Sequence, residues 1–174
     1  LMYNYDNRYL LTTTFRADGS SKFFKNKWGF FPSVALAWSL GNEKFMQQQD
    51  IIQDSKLRVS YGLVGSQAIS PYETLGLMKQ VGYAYGGSNK YTGFWAGTSR
   101  ATPDLTWEKT HQFNVGIDFA TLAHRLRFSI DYFNKTTKDG LLKKTLPQYD
   151  GGGTYWVNAC EVVNRGVDFT IDAH

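Results

Sequence analysis

The sequence predicts an all-β fold: an antiparallel meander of about six amphipathic strands that forms part of a large transmembrane β-barrel. Apolar and polar residues alternate with period two through most of the 174 residues. The composition is rich in aromatics (16%) and glycine (17 residues) and poor in charge (20%). Short and long connections alternate between the periodic segments, as they do at the two rims of a membrane barrel. Mean hydropathy is −0.39. The longest apolar run, around Val34 to Trp38, is far short of the ~18 residues a membrane helix requires. Barrel strands escape such a scan because only alternate residues face lipid.

The elements follow in order. Tyr9, Leu11, Thr13 and Phe15 share one face of a first strand, with Thr12, Thr14 and Arg16 on the other. Asp18-Gly19 is a turn signal opening a polar loop through Lys27. The second strand sets Phe30, Pro32, Val34, Leu36 and Trp38 against Phe31, Ser33, Ala35, Ala37 and Ser39, a face of small, weakly polar residues. Residues 41–55 break the alternation, and Glu43 to Gln49 read as a short helix capped by Asn42. Leu57, Val59, Tyr61 and Leu63 then oppose Arg58, Ser60 and Gly62.

A segment at about 66–106, rich in Gly, Ser, Tyr and Trp, keeps no period. Unstructured loops of that length are usually functional. Phe113, Val115, Ile117 and Phe119 oppose Gln112, Asn114, Gly116 and Asp118 in the clearest strand. After a short turn at Ala120 to His124, Leu126, Phe128, Ile130 and Tyr132 oppose Arg127, Ser129 and Asp131. A Gly151-Gly152-Gly153 loop precedes the last strand, where Val167, Phe169 and Ile171 oppose Asp168, Thr170 and Asp172.

Polar residues thus face a wet interior and apolar ones lipid, with Trp28, Phe30, Trp38, Trp107 and Tyr132 suited to interfacial girdles. A soluble antiparallel sandwich also alternates, and remains the alternative at this point. About six strands cannot close a membrane barrel, for which roughly eight is the minimum. An open edge in hydrocarbon costs several kcal/mol per backbone group. The barrel reading therefore implies further strands elsewhere in a longer chain, in keeping with the missing initiator Met and signal peptide and with Val167 to His174 reading as a strand in progress.

The net charge of +4 is scattered, without the basic stripe of a nucleic-acid surface. One cysteine, Cys160, excludes an internal disulfide and a Cys-rich metal site. His111, His124 and His174 form no catalytic pattern, and the chain has no nucleophile elbow, no His-Glu-x-x-His and no phosphate-cradling loop. No enzyme activity, cofactor or metal is expected.

Seven blocks, Tyr9 to Phe23 (YLLTTTFRADGSSKF), Trp28 to Trp38 (WGFFPSVALAW), Leu57 to Gln67 (LRVSYGLVGSQ), Leu105 to Thr110, Phe113 to Phe119, Ile130 to Asp139 and Val163 to Phe169, follow one another along the chain. In that order and spacing they resemble the SusC/RagA family of TonB-linked outer-membrane proteins. The resemblance covers residues 8–172 in order, except about 68–100. It implies that residues 1–174 are a partial TonB-dependent receptor barrel domain, within a barrel of about 22 strands that encloses a plug. The plug and the remaining strands lie outside this chain, and about 66–106 becomes a long extracellular loop.

It further implies import of oligosaccharide or peptide across the outer membrane of a Gram-negative bacterium, driven through TonB at the plug, with a SusD-like surface lipoprotein as lid. Tyr83, Tyr85, Tyr91, Phe94 and Trp95 in the unmatched loop are then candidate cargo or lid contacts, against the simpler reading that they fold the loop. Arg16, Arg58, Asp118 and Asp131 are candidate lumen-facing groups for plug or cargo, against mutual pairing or hydration. The functional alternatives are a soluble β-sandwich binding glycans through its Tyr and Trp residues, and a barrel enzyme, for which no rim Ser/His/Asp cluster is visible.

Overall fold

The computed structural model describes residues 1–46, 52–84, 90–96, 99–122, 125–150 and 152–173, and only the backbone of 53, 79–84, 90–96 and 148. Nine strands are described: β1 (Met2–Tyr5), β2 (Tyr9–Gly19), β3 (Trp28–Ser39), β4 (Ile52–Ser66), β5 (Met78–Ala84), β6 (Lys90–Ala96), β7 (Glu108–Thr121), β8 (Leu126–Thr145) and β9 (Thr154–Ala173). Seven form one antiparallel sheet in the order β1-β2-β3-β4-β7-β8-β9, and β5 and β6 pair separately as a hairpin.

The six strands expected from alternation are β2, β3, β4, β7, β8 and β9; β1 adds a seventh to the sheet, and β5 and β6 a separate hairpin. β1 is four residues long, too short to show a period, and a turn with positive φ at Asp6 and Asn7 fastens it to β2. The segment read as a loop at 66–106 contains β5 and β6, hidden by glycines and by apolar residues on both faces. β2 runs through Asp18-Gly19 to pair with Trp28, so the turn falls after them. The helix expected at Glu43 to Gln49 is absent over its described part. Leu40–Asn42 is a single 3-10 turn, residues 43–46 form a bend and turn, and 47–49 lie outside the described residues. Asn42 caps nothing and donates instead to the Asn7 carbonyl at 2.7 Å, bridging neighbouring turns.

Register stitches the apolar alternation of separate strands into continuous rows. Leu11, Leu36, Val59, Val115, Tyr132 and Val167 lie directly across from one another, as do Tyr9, Trp38, Leu57, Ile117, Ile130 and Phe169. Phe15, Leu36, Val167 and Phe169 each keep more than half of their surface exposed. Among the described residues no second sheet covers this face, which removes the packing a sandwich requires.

The apolar band also runs obliquely. On β3 it is centred near Val34, but the row through Val34 reaches polar Asn134 and Arg165 on β8 and β9. On β9 the band is centred near Phe169, in register with Trp38. The band therefore shifts by about one residue per strand. With a rise of about 3.3 Å and a spacing of about 4.8 Å, the tilt is about 35°, that of a barrel wall.

Aromatics border the band. Tyr9 stacks on Trp38 at 6.0 Å, and the Tyr9 hydroxyl and Trp38 indole both donate to Glu43 Oε1, at 3.1 and 3.2 Å. Apolar bodies with bonded polar tips suit a membrane interface. Towards the opposite end Phe15 stacks on Phe30, Trp28 is exposed, and the Tyr61 hydroxyl lies 2.8 Å from His111 Nδ1. Two expected girdle residues sit elsewhere. Tyr132 lies within the band, and Trp107 is buried in a cluster with Phe23, Phe31, Ile69 and Leu105, joined by Leu63, Leu141 and Trp156.

That cluster stands at the end of the sheet where the connections at 20–27, 67–107 and 146–153 meet. Phe31 packs there because Gly29 and Gly65 make room: a Cβ on Gly29 would lie 2.5 Å from Phe31 Cζ, and one on Gly65 would collide with the same ring.

Candidate functional site

The face opposite the apolar band carries the charges. Lys56, Asp118 and Ser129 lie in one row across β4, β7 and β8, and Arg58, Gly116, Asp131 and Asp168 in the next, reaching β9. Alternation put them on one face, and register brings them together. Arg58 Nη2 donates to Asp118 Oδ1 at 2.8 Å and to Asp131 Oδ1 at 3.0 Å, and Arg58 Nε lies 2.8 Å from Asp118 Oδ2. Ser129 Oγ sits 2.8 Å from Asp118 Oδ1 and 2.9 Å from Asp131 Oδ2, so its single proton serves one carboxylate at a time.

One guanidinium thus bridges two carboxylates across three strands. Gly116 makes the bridge possible, since a Cβ there would collide with the Asp131 carboxylate and sit 3.0 Å from Arg58 Nη2. The side chains of Arg58, Asp118 and Asp131 retain 41%, 38% and 34% of their exposure, so water weakens the attraction.

Of the four charged residues singled out from sequence, three form this network. Arg16 stands apart: its Nε pairs with Asp18 at 2.8 Å and its guanidinium lies 5.5 Å above the Phe31 ring. Sequence reasoning missed Gly116 and Ser129 as members of the network. The alternation of Ser129 with Arg127 and Asp131 was a usable signal. The role of Gly116 depends on register, which alternation leaves unset. Cys160 faces Gly140 across a break in the β8–β9 register. Among the described residues, no group of three or more His, Cys, Asp or Glu could hold a metal ion.

At the other end of the sheet, both stems of the 67–107 segment are fastened. Asn158 donates to the Thr106 and Asp139 carbonyls at 3.0 and 2.7 Å and accepts from the Thr106 amide at 2.9 Å. Thr74 Oγ1 donates to the Lys22 carbonyl at 2.8 Å, the Thr102 amide to the Thr74 carbonyl at 3.0 Å, and Lys25 pairs with Asp104 at 2.6 Å. The hairpin of β5 and β6 extends from these stems. In it the backbones of Tyr83 and Tyr91 lie directly opposite, with Phe94 and Trp95 further along β6. Tyr85, and the side chains of the other four candidate contacts, lie outside the described residues.

A single tilted antiparallel sheet, apolar on one face and charged on the other, is a section of a transmembrane barrel wall. The sequence model of the family described as "TonB dependent receptor-like, beta-barrel" matches residues 1–174, and the chain belongs to that family. TonB-dependent receptor P3 of Formosa agariphila is 40% identical over 98% of this chain and 17% of its own length. TonB-dependent receptor SusC of Bacteroides thetaiotaomicron is 36% identical over 99% and 18%. The structure of the RagAB peptide transporter superposes with a TM-score of 0.86 at 28% identity, covering 99% of this chain and 19% of that one. The chain therefore spans less than a fifth of the length of these relatives.

Proposed function

We propose that this chain is part of the wall of an outer-membrane nutrient importer of a Gram-negative bacterium. The observation that carries the reading is the register of six strands into one oblique apolar band backed by a charged face. A band of that kind needs lipid on one side and water on the other. The family supports nutrient uptake, the likeness to the RagAB peptide transporter supports peptide as a cargo, and oligosaccharide rests on the SusC/RagA resemblance of the sequence blocks. In this reading a plug beyond this chain engages TonB, and a SusD-like surface lipoprotein covers the barrel.

The segment at about 66–106 is then extracellular, and Tyr83, Tyr85, Tyr91, Phe94 and Trp95 contact cargo or lid. Arg16, Arg58, Asp118 and Asp131 face the lumen and meet plug or cargo. The relatives are receptors and transporters, which supports a non-enzymatic role.

Fractionation of the source cells tests the reading, with antiserum against this segment and samples run heated and unheated. A band several times the 19.8 kDa of this chain, in the outer membrane and shifting on heating, supports it. A soluble band that ignores heating sinks it.

A further inference from the structure

Beyond the apolar band, towards the long connections, the outward face of β7, β8 and β9 turns basic. Lys109 continues the alternation of Phe113 and Val115, Lys138 that of Ile130 and Tyr132, and Arg165 that of Val167 and Phe169. The β7–β8 register runs unbroken from Thr121 opposite Leu126 to Lys109 opposite Lys138, so no slip turns these positions to the other face. Their depth follows from the oblique course of the band. Centred near Val34 on β3 and Phe169 on β9, it crosses β7 near Val115 and β8 near Asp131. Lys109, Lys138 and Arg165 lie about six, seven and four residues from those centres, which at a rise of about 3.3 Å and a tilt of about 35° is about 16, 19 and 11 Å. A band about 25 Å tall ends about 12–13 Å from its middle. The two ammonium groups thus stand at headgroup level, and the guanidinium reaches it by extending its stem.

Among the described residues none of the three cations has an ion pair or a side-chain hydrogen bond. Asp139 and Glu161 stand at the break in the β8–β9 register beyond Lys138, and neither pairs with it. Like charges directly opposite one another, as Lys109 and Lys138 are, destabilise a sheet unless an anion comes between them. At the opposite rim Arg8 is taken up by Asp6 and Glu43, at 3.2 and 3.5 Å. A further group is unsatisfied here. Asn134, directly between Phe113 and Arg165, has its Oδ1 buried without a hydrogen-bond partner, and a buried acceptor calls for a donor.

We propose that this patch binds the phosphorylated headgroup of a glycolipid in the outer leaflet of the membrane around the barrel. Phosphate lies between Lys109 and Lys138, Arg165 holds the lower end of the headgroup, and a headgroup hydroxyl donates to Asn134 Oδ1. From the row of Lys138 to that of Arg165 is about four residues, or about 13 Å, which a headgroup of two linked sugar rings spans. The acyl chains then continue along β9 over Val167, Phe169 and Ile171, which keep 64%, 59% and 53% of their surface exposed. A free anion is matched less well. It would neutralise the cations and leave this apolar track, which begins directly below Arg165, uncovered.

The proposal rests on the importer reading, which places this end of the sheet outside the cell. The test uses the full-length protein in neutral detergent, stripped of bound lipid. It is titrated with radiolabelled monophosphorylated lipid A and with the same lipid after enzymatic dephosphorylation, and inorganic phosphate is added as competitor. Saturable binding of the phosphorylated lipid is expected, weakened about tenfold by loss of its phosphate. A cation near an anionic lipid surface contributes about fivefold. Lys138→Gln combined with Arg165→Gln should therefore weaken binding roughly 25-fold, and Lys109→Gln about fivefold. Arg125→Gln, an exposed cation in the turn at the other end of β7 and β8, should leave it unchanged. All variants should keep the heat-dependent gel shift of a folded barrel. The proposal is overturned if the two forms of the lipid bind alike, if the double variant binds as tightly as the parent, or if Arg125→Gln costs as much. Complete displacement of the lipid by millimolar phosphate would overturn it in favour of a free-anion site. A protein without the heat shift, or outside the outer membrane, would instead remove the importer reading itself.

Discussion

Arginine placed on the apolar band measures the depth of each position in the membrane. Ile117 lies between Leu57 and Ile130 across the strands, with Val115 and Phe119 flanking it along β7. Leu36 lies between Leu11 and Val59, with Val34 and Trp38 flanking. Each position is enclosed by apolar residues in all four directions. Both should therefore lie near the bilayer midplane, where arginine costs about 2–4 kcal/mol. That is a roughly 25- to 700-fold shift in the folding equilibrium. Trp28, at the end of β3 six residues from Val34 and paired with Gly19, should cost only about 0–1 kcal/mol as arginine. Ala35, in the opposite face between Thr12 and Ser60, should accept serine silently.

The assay is urea titration of the full-length protein in lipid vesicles, scored by unheated gel mobility, together with the amount assembled in cells. The order Ile117→Arg and Leu36→Arg well above Trp28→Arg, with Ala35→Ser at zero, is expected. Equal midpoints for all four would refute the assignment of faces. A large loss for Ala35→Ser alone would invert it.

Four further outcomes follow from the packing. Gly65→Val drives two methyls into the Phe31 ring and should cost about 1–3 kcal/mol, and Phe31→Leu in the same chain should recover part of the loss. A fully additive pair in denaturant titrations would show that the two sites do not touch. Asn158→Ala leaves the Thr106 amide and two carbonyls without their partner and should cost about 1–3 kcal/mol locally, which limited proteolysis would register as faster cleavage within 67–107. Unchanged cleavage would mean that the stem is held by other contacts. Arg58→Ala, which strands two carboxylates, should destabilise by about 1–2 kcal/mol after allowance for solvent. Asp104→Ala, despite the shorter 2.6 Å contact to Lys25, should change stability by about 0.5 kcal/mol or less because the pair is mostly exposed.

The faces of the strands were legible because period two needs only a few residues to declare itself. Leu57 to Leu63 and Phe113 to Phe119 fixed the apolar side of β4 and β7 before any pairing was known. Register was not legible, since a slip by two residues preserves every face. The Arg58 network therefore appeared in sequence as three separate charges, and Gly116 as an unremarkable small residue. Trp107 was misplaced because it precedes β7, where alternation no longer governs direction. The pairing of β5 with β6 stayed hidden because Met78 to Ala84 mixes Gly82 with apolar residues on both faces. The resemblance to the family stops at about 68–100, the stretch that holds Tyr83, Tyr85, Tyr91, Phe94 and Trp95.

The open edges of the sheet bear on where any of these energies can be measured. β1 and β9 form the two margins of the seven-stranded sheet. About ten residues of a barrel strand cross the hydrocarbon, and about half of their N–H and C=O groups point away from β8, the neighbour β9 has among the described residues. At several kcal/mol for each unsatisfied group in lipid, one bare edge costs tens of kcal/mol. A whole domain is stable by only about 5–15 kcal/mol. No improvement in packing within the sheet can offset that cost, so the apolar band and the unpaired margins are compatible in a bilayer only when other strands complete the cylinder. The consequence is practical. In the isolated segment, Ile117→Arg would raise solubility by adding charge to an exposed apolar face. In the closed barrel the same change should be among the most damaging on β7. A substitution whose effect reverses sign between segment and full-length protein would therefore identify lipid-facing positions without a structure of the whole.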